Sequence, residues 1–132
     1  MPLFRNVQTL FTMAEASGEN QAGTSHRVVP NEGDNINDTA QMFRVFFDVQ
    51  QIGGASSPTT DTNLETSHDG TSWFKLVGAT QVTTETTAHE WKEVPVVGPF
   101  LRVTTSLGGG TKPTHKVTVK LASTAPFKLR AE

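Results

Sequence analysis

The side chains with the most chemistry to offer here are four histidines, a group of central glutamates and two tryptophans. His26, His68, His89 and His115 would suggest a metal site if two stood at His-x-His or His-x₃-His spacing, and none do. Cysteine is absent, which excludes disulfides, thiolate nucleophiles and thiolate zinc sites. Glu65, Glu85, Glu90 and Glu93 are the candidates for a glycosidase-type carboxylate pair, but no spacing sets two of them across a cleft. Solvated strand faces account for them more simply. Serine, histidine and aspartate are scattered without a Gly-x-Ser-x-Gly elbow. Gly108-Gly109-Gly110 is followed by Pro113 and a strand, where a phosphate loop requires a helix. Between Asn31 and Thr39, Glu32, Asp34, Asn35, Asn37 and Asp38 invite a calcium reading. That stretch lacks the turn glycine and closing glutamate of an EF-hand, so its residues read as turn formers. The expectation is a non-enzyme without catalytic residues, cofactor or metal.

Trp73 and Trp91 allow two uses. Exposed on a β-sandwich, a tryptophan stacks on sugar rings and makes a carbohydrate-binding module. Buried, it anchors a core or an interface. With only two Trp and eight Phe to build the whole core, anchoring is the preferred reading.

The elements that must position these residues centre on Leu64–Leu76. Two short runs flank His68-Asp69-Gly70-Thr71, and an Asp-Gly pair in that setting is a strong hairpin signal. Gly70 supplies the positive φ such a turn needs, and Trp73 enters the next strand where its ring can lock the hairpin to a core. Composition agrees with sheet: hydrophobic residues are 35% and charged residues 18%, with abundant β-branched threonine. At 132 residues the chain makes one domain, 1–132. A net charge of −2 and a pI near 6.1 give no electrostatic case for nucleic acid or an anionic membrane. No apolar run approaches the ~20 residues of a membrane-spanning helix, and the N-terminus does not read as a secretory signal.

Taken in order, residues 3–14 combine helical spacing with a strand-like run, and the strand is preferred; residues 1–13 are then a first strand or an N-terminal arm. Arg27-Val28-Val29-Pro30 reads as an edge strand closed by proline. Gln41–Ile52 is the clearest core strand, with Phe43, Val45, Phe47 and Val49 alternating against Arg44, Asp48 and Gln50. Phe46 breaks its polar face. Gln81–Thr84, His89–Val94 (anchored by Trp91), Phe100–Thr105 and His115–Ser123 follow as strands, and Ala125–Glu132 reads as a tail. About seven or eight short strands without a confident helix predict an all-β antiparallel sandwich of jelly-roll type.

Ser67-His68-Asp69-Gly70-Thr71-Ser72-Trp73, with Leu76, resembles the Ser-x-Asp-Gly-x-x-Trp hairpin of discoidin-like and related jelly rolls. A longer pattern resembles small tailed-phage virion proteins of that architecture. It includes Phe47-Asp48-Val49, Ile52-Gly53-Gly54, the hairpin itself, Pro99-Phe100-Leu101-Arg102-Val103 and Gly110-Thr111-Lys112-Pro113-Thr114 before Val117–Leu121. The likeness covers residues 42–122, and its motifs specify fold better than function. It implies a structural virion protein made in the host cytoplasm, of capsid decoration or cement type, whose partner is the major capsid protein. Lattice symmetry favours a homo-oligomer, with a trimer at three-fold positions. Leu3, Phe4 and Val7, with Phe127 and Leu129, are candidate capsid or subunit contacts, being apolar on elements a sandwich need not bury. A tail or head–tail component is the alternative within the particle. A carbohydrate-binding adhesion module, with a surface glycan as partner, is the alternative outside it and requires an exposed tryptophan.

Overall fold

A computed structural model of the chain describes residues 4, 6–17, 21–23, 25–30, 42–52, 59–83, 87–94, 99–108, 114–124 and 127–131. Strict alternation of side chains builds the central strands. In β4 (Phe43–Ile52), Val45, Phe47 and Val49 are buried while Phe46, Asp48 and Gln50 face out. In β10 (Thr114–Ser123), Val117, Val119 and Leu121 are buried, and the antiparallel register sets them opposite Val49, Phe47 and Val45. Paired apolar residues on one face therefore fix both the register and the side that becomes core.

The other strands are β1 (Asn6–Ser17), β2 (Gln21–Ala22), β3 (His26–Pro30), β5 (Thr59–Ser67), β6 (Phe74–Gly78), β7 (Val82–Thr83), β8 (Thr87–Val94), β9 (Phe100–Gly108) and β11 (Phe127–Ala131). They form two sheets, ordered β1-β10-β4-β8 and β11-β3-β9-β5-β6, with β2 beside β9 and β7 beside β5. Every pair among the described residues is antiparallel. Eight strands carry the framework: β1, β3, β4, β5, β6, β8, β9 and β10. Numbered one to eight along the chain, they run 1-8-3-6 in one sheet and 2-7-4-5 in the other. That interleaving is a jelly roll, and the chain is an all-β antiparallel sandwich.

The core between the sheets is mostly aliphatic, with Leu10, Val45, Phe47, Leu64, Leu101, Val103, Val119 and Leu121 in one cluster. Threonine completes it. Thr60, Thr62 and Thr66 of β5 point inward with Leu64, and Thr105 faces Thr62 from β9. Their methyl groups let a chain of low hydrophobic content fill its interior. At the margins β1 meets β11 and β6 meets β8. On the β8 side, the Lys92 ammonium donates to the Gly78 carbonyl, while the Thr80 N–H and hydroxyl donate to Glu90 at 2.7 Å each.

The strand preferred for residues 3–14 forms: from Asn6 the segment is a full sheet strand rather than an arm, with Leu10 only 4% exposed. Three local expectations change. The C-terminal tail is also a strand, because Phe127 and Leu129 alternate correctly to pair with β3. Phe127 is 3% exposed and stands edge-on to Phe43 at 5.5 Å, and Leu129 packs against the core. The fold has thus already consumed Phe127, which removes it as a contact residue. β3 is not an edge, since β11 covers the side that Pro30 was expected to close. Leu3, Asn31–Thr39, Gly53–Pro58, Glu85 and the loop at residues 109–113 lie outside the described residues.

Candidate functional site

The β5–β6 hairpin forms as expected, but its loop is longer than a two-residue Asp-Gly turn and runs from His68 to Trp73. Two side chains close it. Ser67 Oγ accepts from the Asp69 N–H (3.3 Å) and the Gly70 N–H (2.8 Å) and donates to Asp69 Oδ1 (3.0 Å). Asp69 Oδ1 in turn accepts from the Thr71 and Ser72 N–H groups at 2.8 Å each. Those Ser72 and Thr71 donors hold the Asp69 carboxyl down at about 2. Gly70 sits at φ 81°, the conformation the motif reserves for glycine. The Ser-x-Asp-Gly signature is thus a backbone clasp, in which each side chain replaces hydrogen bonds that the loop cannot make to a ladder.

Neither tryptophan is in the core. Trp73, half-buried, lies on the outward side of the second sheet, where the Arg102 guanidinium sits 4.3 Å from its ring centroid. Arg102 Nε donates to Glu65 Oε1 at 2.7 Å, so an ion pair on adjacent strands holds the ring that anchors the loop. Leu76 supplies the inward contact of this hairpin, packing partly buried against the core cluster. Trp91 is 54% exposed. In β8 it shares a face with His89 and Glu93, while Val94 is buried on the other, so alternation forces the ring outward.

The outward face of the β1-β10-β4-β8 sheet is consequently the most distinctive surface of the molecule. Cross-strand register lays its residues out in rows. Val7, Ala122, Arg44 and Glu93 make one row; Lys120, Phe46 and Trp91 the next; Thr118, Asp48 and His89 the third. Arg44 is stacked between two rings, 4.1 Å from Phe4 and 4.3 Å from Trp91, and reaches Glu93 at 3.7 Å. Beyond Trp91 the face dips into an open hollow of about 320 Å³, lined by Phe46, Asp48, His89, Glu90, Trp91, Thr118 and Lys120 together with Phe47. His89 Nδ1 and Asp48 Oδ1 are 3.3 Å apart at its rim. Val7 at 48% exposed and Phe46 at 38% add apolar surface on the same face.

The remaining titratable residues do not converge. Among the described residues, no three His, Cys, Asp or Glu side chains gather closely enough to hold a metal ion. His26 lies in β3, His68 in the clasp loop, His89 on the outward face and His115 in β10. Glu65 is bound to Arg102, while Glu90 and Glu93 take opposite sides of β8. Burial tends to raise the Glu90 pKa, but its Thr80 hydrogen bonds and the nearby Lys92 outweigh this and leave it lowered. Sequence reasoning missed the hollow because its residues meet only through cross-strand register. The exposed Phe46 on an otherwise polar face was the one signal available. Comparison with protein-family models, with curated proteins and with solved structures finds no match for this chain.

Proposed function

We propose that this chain is a structural virion protein of the capsid decoration type. It binds the major capsid protein on the outside of a phage head and bridges neighbouring subunits. The reading rests first on the phage-like residue pattern across 42–122, whose segments supply β4, the clasped hairpin, β9 and β10 of the jelly roll. The single structural observation that supports it is the apolar surface left outward along β1. There Val7 is 48% exposed, and Phe4 packs on Arg44 instead of on the core. With Phe127 committed to the core and Leu129 packed against it, Phe4 and Val7 are the strongest of the candidate contacts. Many copies, each binding weakly, gain avidity from a repeating lattice, and a homotrimer at three-fold positions would match its symmetry. Immunogold labelling of intact particles tests the assignment. Label confined to the head surface is the expected result, and label on the tail would replace it with a tail or head–tail role.

A glycan-binding reading also gains support, because its one requirement, an exposed tryptophan, is met by Trp91.

A further inference from the structure

We propose that the hollow beside Trp91 is a binding site for a neutral pyranose sugar. This deepens the glycan reading by naming a site and a ligand class, and it holds whether or not the chain sits on a capsid. A sugar platform needs an aromatic ring that is exposed yet held at a fixed tilt. Trp91 is such a ring: more than half of its surface is open, and one of its faces is taken by Arg44, itself backed by Phe4. Arg44 does not line the hollow, so the stack fixes the indole from outside while the hollow flanks the ring from within. At about 320 Å³ the space lies at the small end of ligand pockets. Phe46, the cross-strand partner of Trp91, extends the apolar floor.

The polar groups around that floor select the ligand. Asp48 offers acceptors, His89 a donor or acceptor, Thr118 both, and Lys120 donors. That set matches the edge hydroxyls of a pyranose whose C–H face lies on the indole. Charge argues against the other flat ligands. Within the hollow the Lys120 ammonium is matched by the Asp48 carboxylate, while the Glu90 carboxylate turns to Thr80 on the other side of β8, so there is no basic surplus to receive the phosphate of a nucleotide. An apolar partner surface would cover the Asp48 and His89 side chains, which are 58% and 74% exposed, and would strip them of water without replacement.

The test is an NMR titration of the full chain that follows the indole N–H signals of both tryptophans. The probes are maltotriose, cellotriose, chitotriose and mannotriose, with adenosine monophosphate as the charged comparator. At least one neutral sugar should shift Trp91 saturably in the millimolar range and leave Trp73 in place. Trp91→Ala should abolish binding, and Asp48→Asn should weaken it about tenfold or more, as loss of a charged hydrogen-bond partner does. Both residues are exposed, and circular dichroism should show both variants folded. The proposal is overturned if no neutral sugar moves Trp91, if adenosine monophosphate binds as well as the best sugar, or if Trp91→Ala binds unchanged.

Discussion

Deleting residues 1–13 distinguishes a strand from an arm, and the two give opposite results. The deletion removes seven of the nine registered pairs that join β1 to β10. It also removes Leu10, 4% exposed in the core, whose loss alone costs about 2–5 kcal/mol. Phe11, partly buried against the same cluster, adds roughly 1–2 kcal/mol. Together these come to about 3–7 kcal/mol before the lost ladder hydrogen bonds are counted, which reaches into the lower half of the ~5–15 kcal/mol by which domains are stable. The truncated chain should therefore be largely unfolded at room temperature. Leu10→Ala should fold with a lower urea midpoint, and Val7→Asp, on the wet face of the same strand, should move stability by no more than about 0.5 kcal/mol. Urea titration followed by far-ultraviolet circular dichroism reads all three. A truncated protein with a native-like midpoint would show that β1 detaches and would refute its place in the sandwich.

Other substitutions probe the interior and the clasp. Thr62→Val and Thr105→Val should each stabilise the protein by about 1 kcal/mol, because both hydroxyls are buried without a protein partner; a lowered urea midpoint would count against this. Gly70→Ala has room, its Cβ lying 3.8 Å from the Phe100 ring, so its cost is the left-handed backbone alone, about 1–2 kcal/mol; a loss near zero or an unfolded variant would be inconsistent with that. Asp69, depressed to about 2 when folded, contributes stability that is present above the ordinary carboxyl value near 3.9 and is lost as pH falls through about 2. Thermal melts across that window should fall more steeply for the wild type than for Asp69→Asn, and parallel profiles would rule out the clasp as the cause. Phe47→Ala should cost about 3–5 kcal/mol and Trp91→Ala clearly less, in the reverse of the order that side-chain size suggests.

What was legible in the sequence follows from where the physics is local. β4 and β10 announce themselves because one face of each is buried, which imposes a period of two on Val45, Phe47 and Val49 and on Val117, Val119 and Leu121. The clasp was visible as Ser67, Asp69 and Gly70, since its hydrogen bonds span only two or three residues. Its tryptophan was misplaced for the opposite reason. Trp73 is held by Arg102, distant in the chain, and size alone does not say which side of a sheet a ring takes. The same holds at Trp91, where Val94 carried the correct parity but the ring's bulk suggested burial. β11 looked like a tail because its partner, β3, lies about a hundred residues away. Threonine in the core went unread because its methyl and hydroxyl fit either side of a strand equally well. The hollow combines residues of β4, β8 and β10 and exists only once their register is set.

Co-sedimentation of the purified chain with expanded phage heads that lack it measures capsid attachment most directly. A decoration protein saturates at a copy number that is a multiple of the lattice symmetry, raises the thermal resistance of the heads, and loses both effects in the folded Val7→Asp variant. Failure of the wild-type chain to bind such heads at any concentration would contradict the capsid role and turn the question to the tail or head–tail alternative, and then to the sugar site proposed beside Trp91.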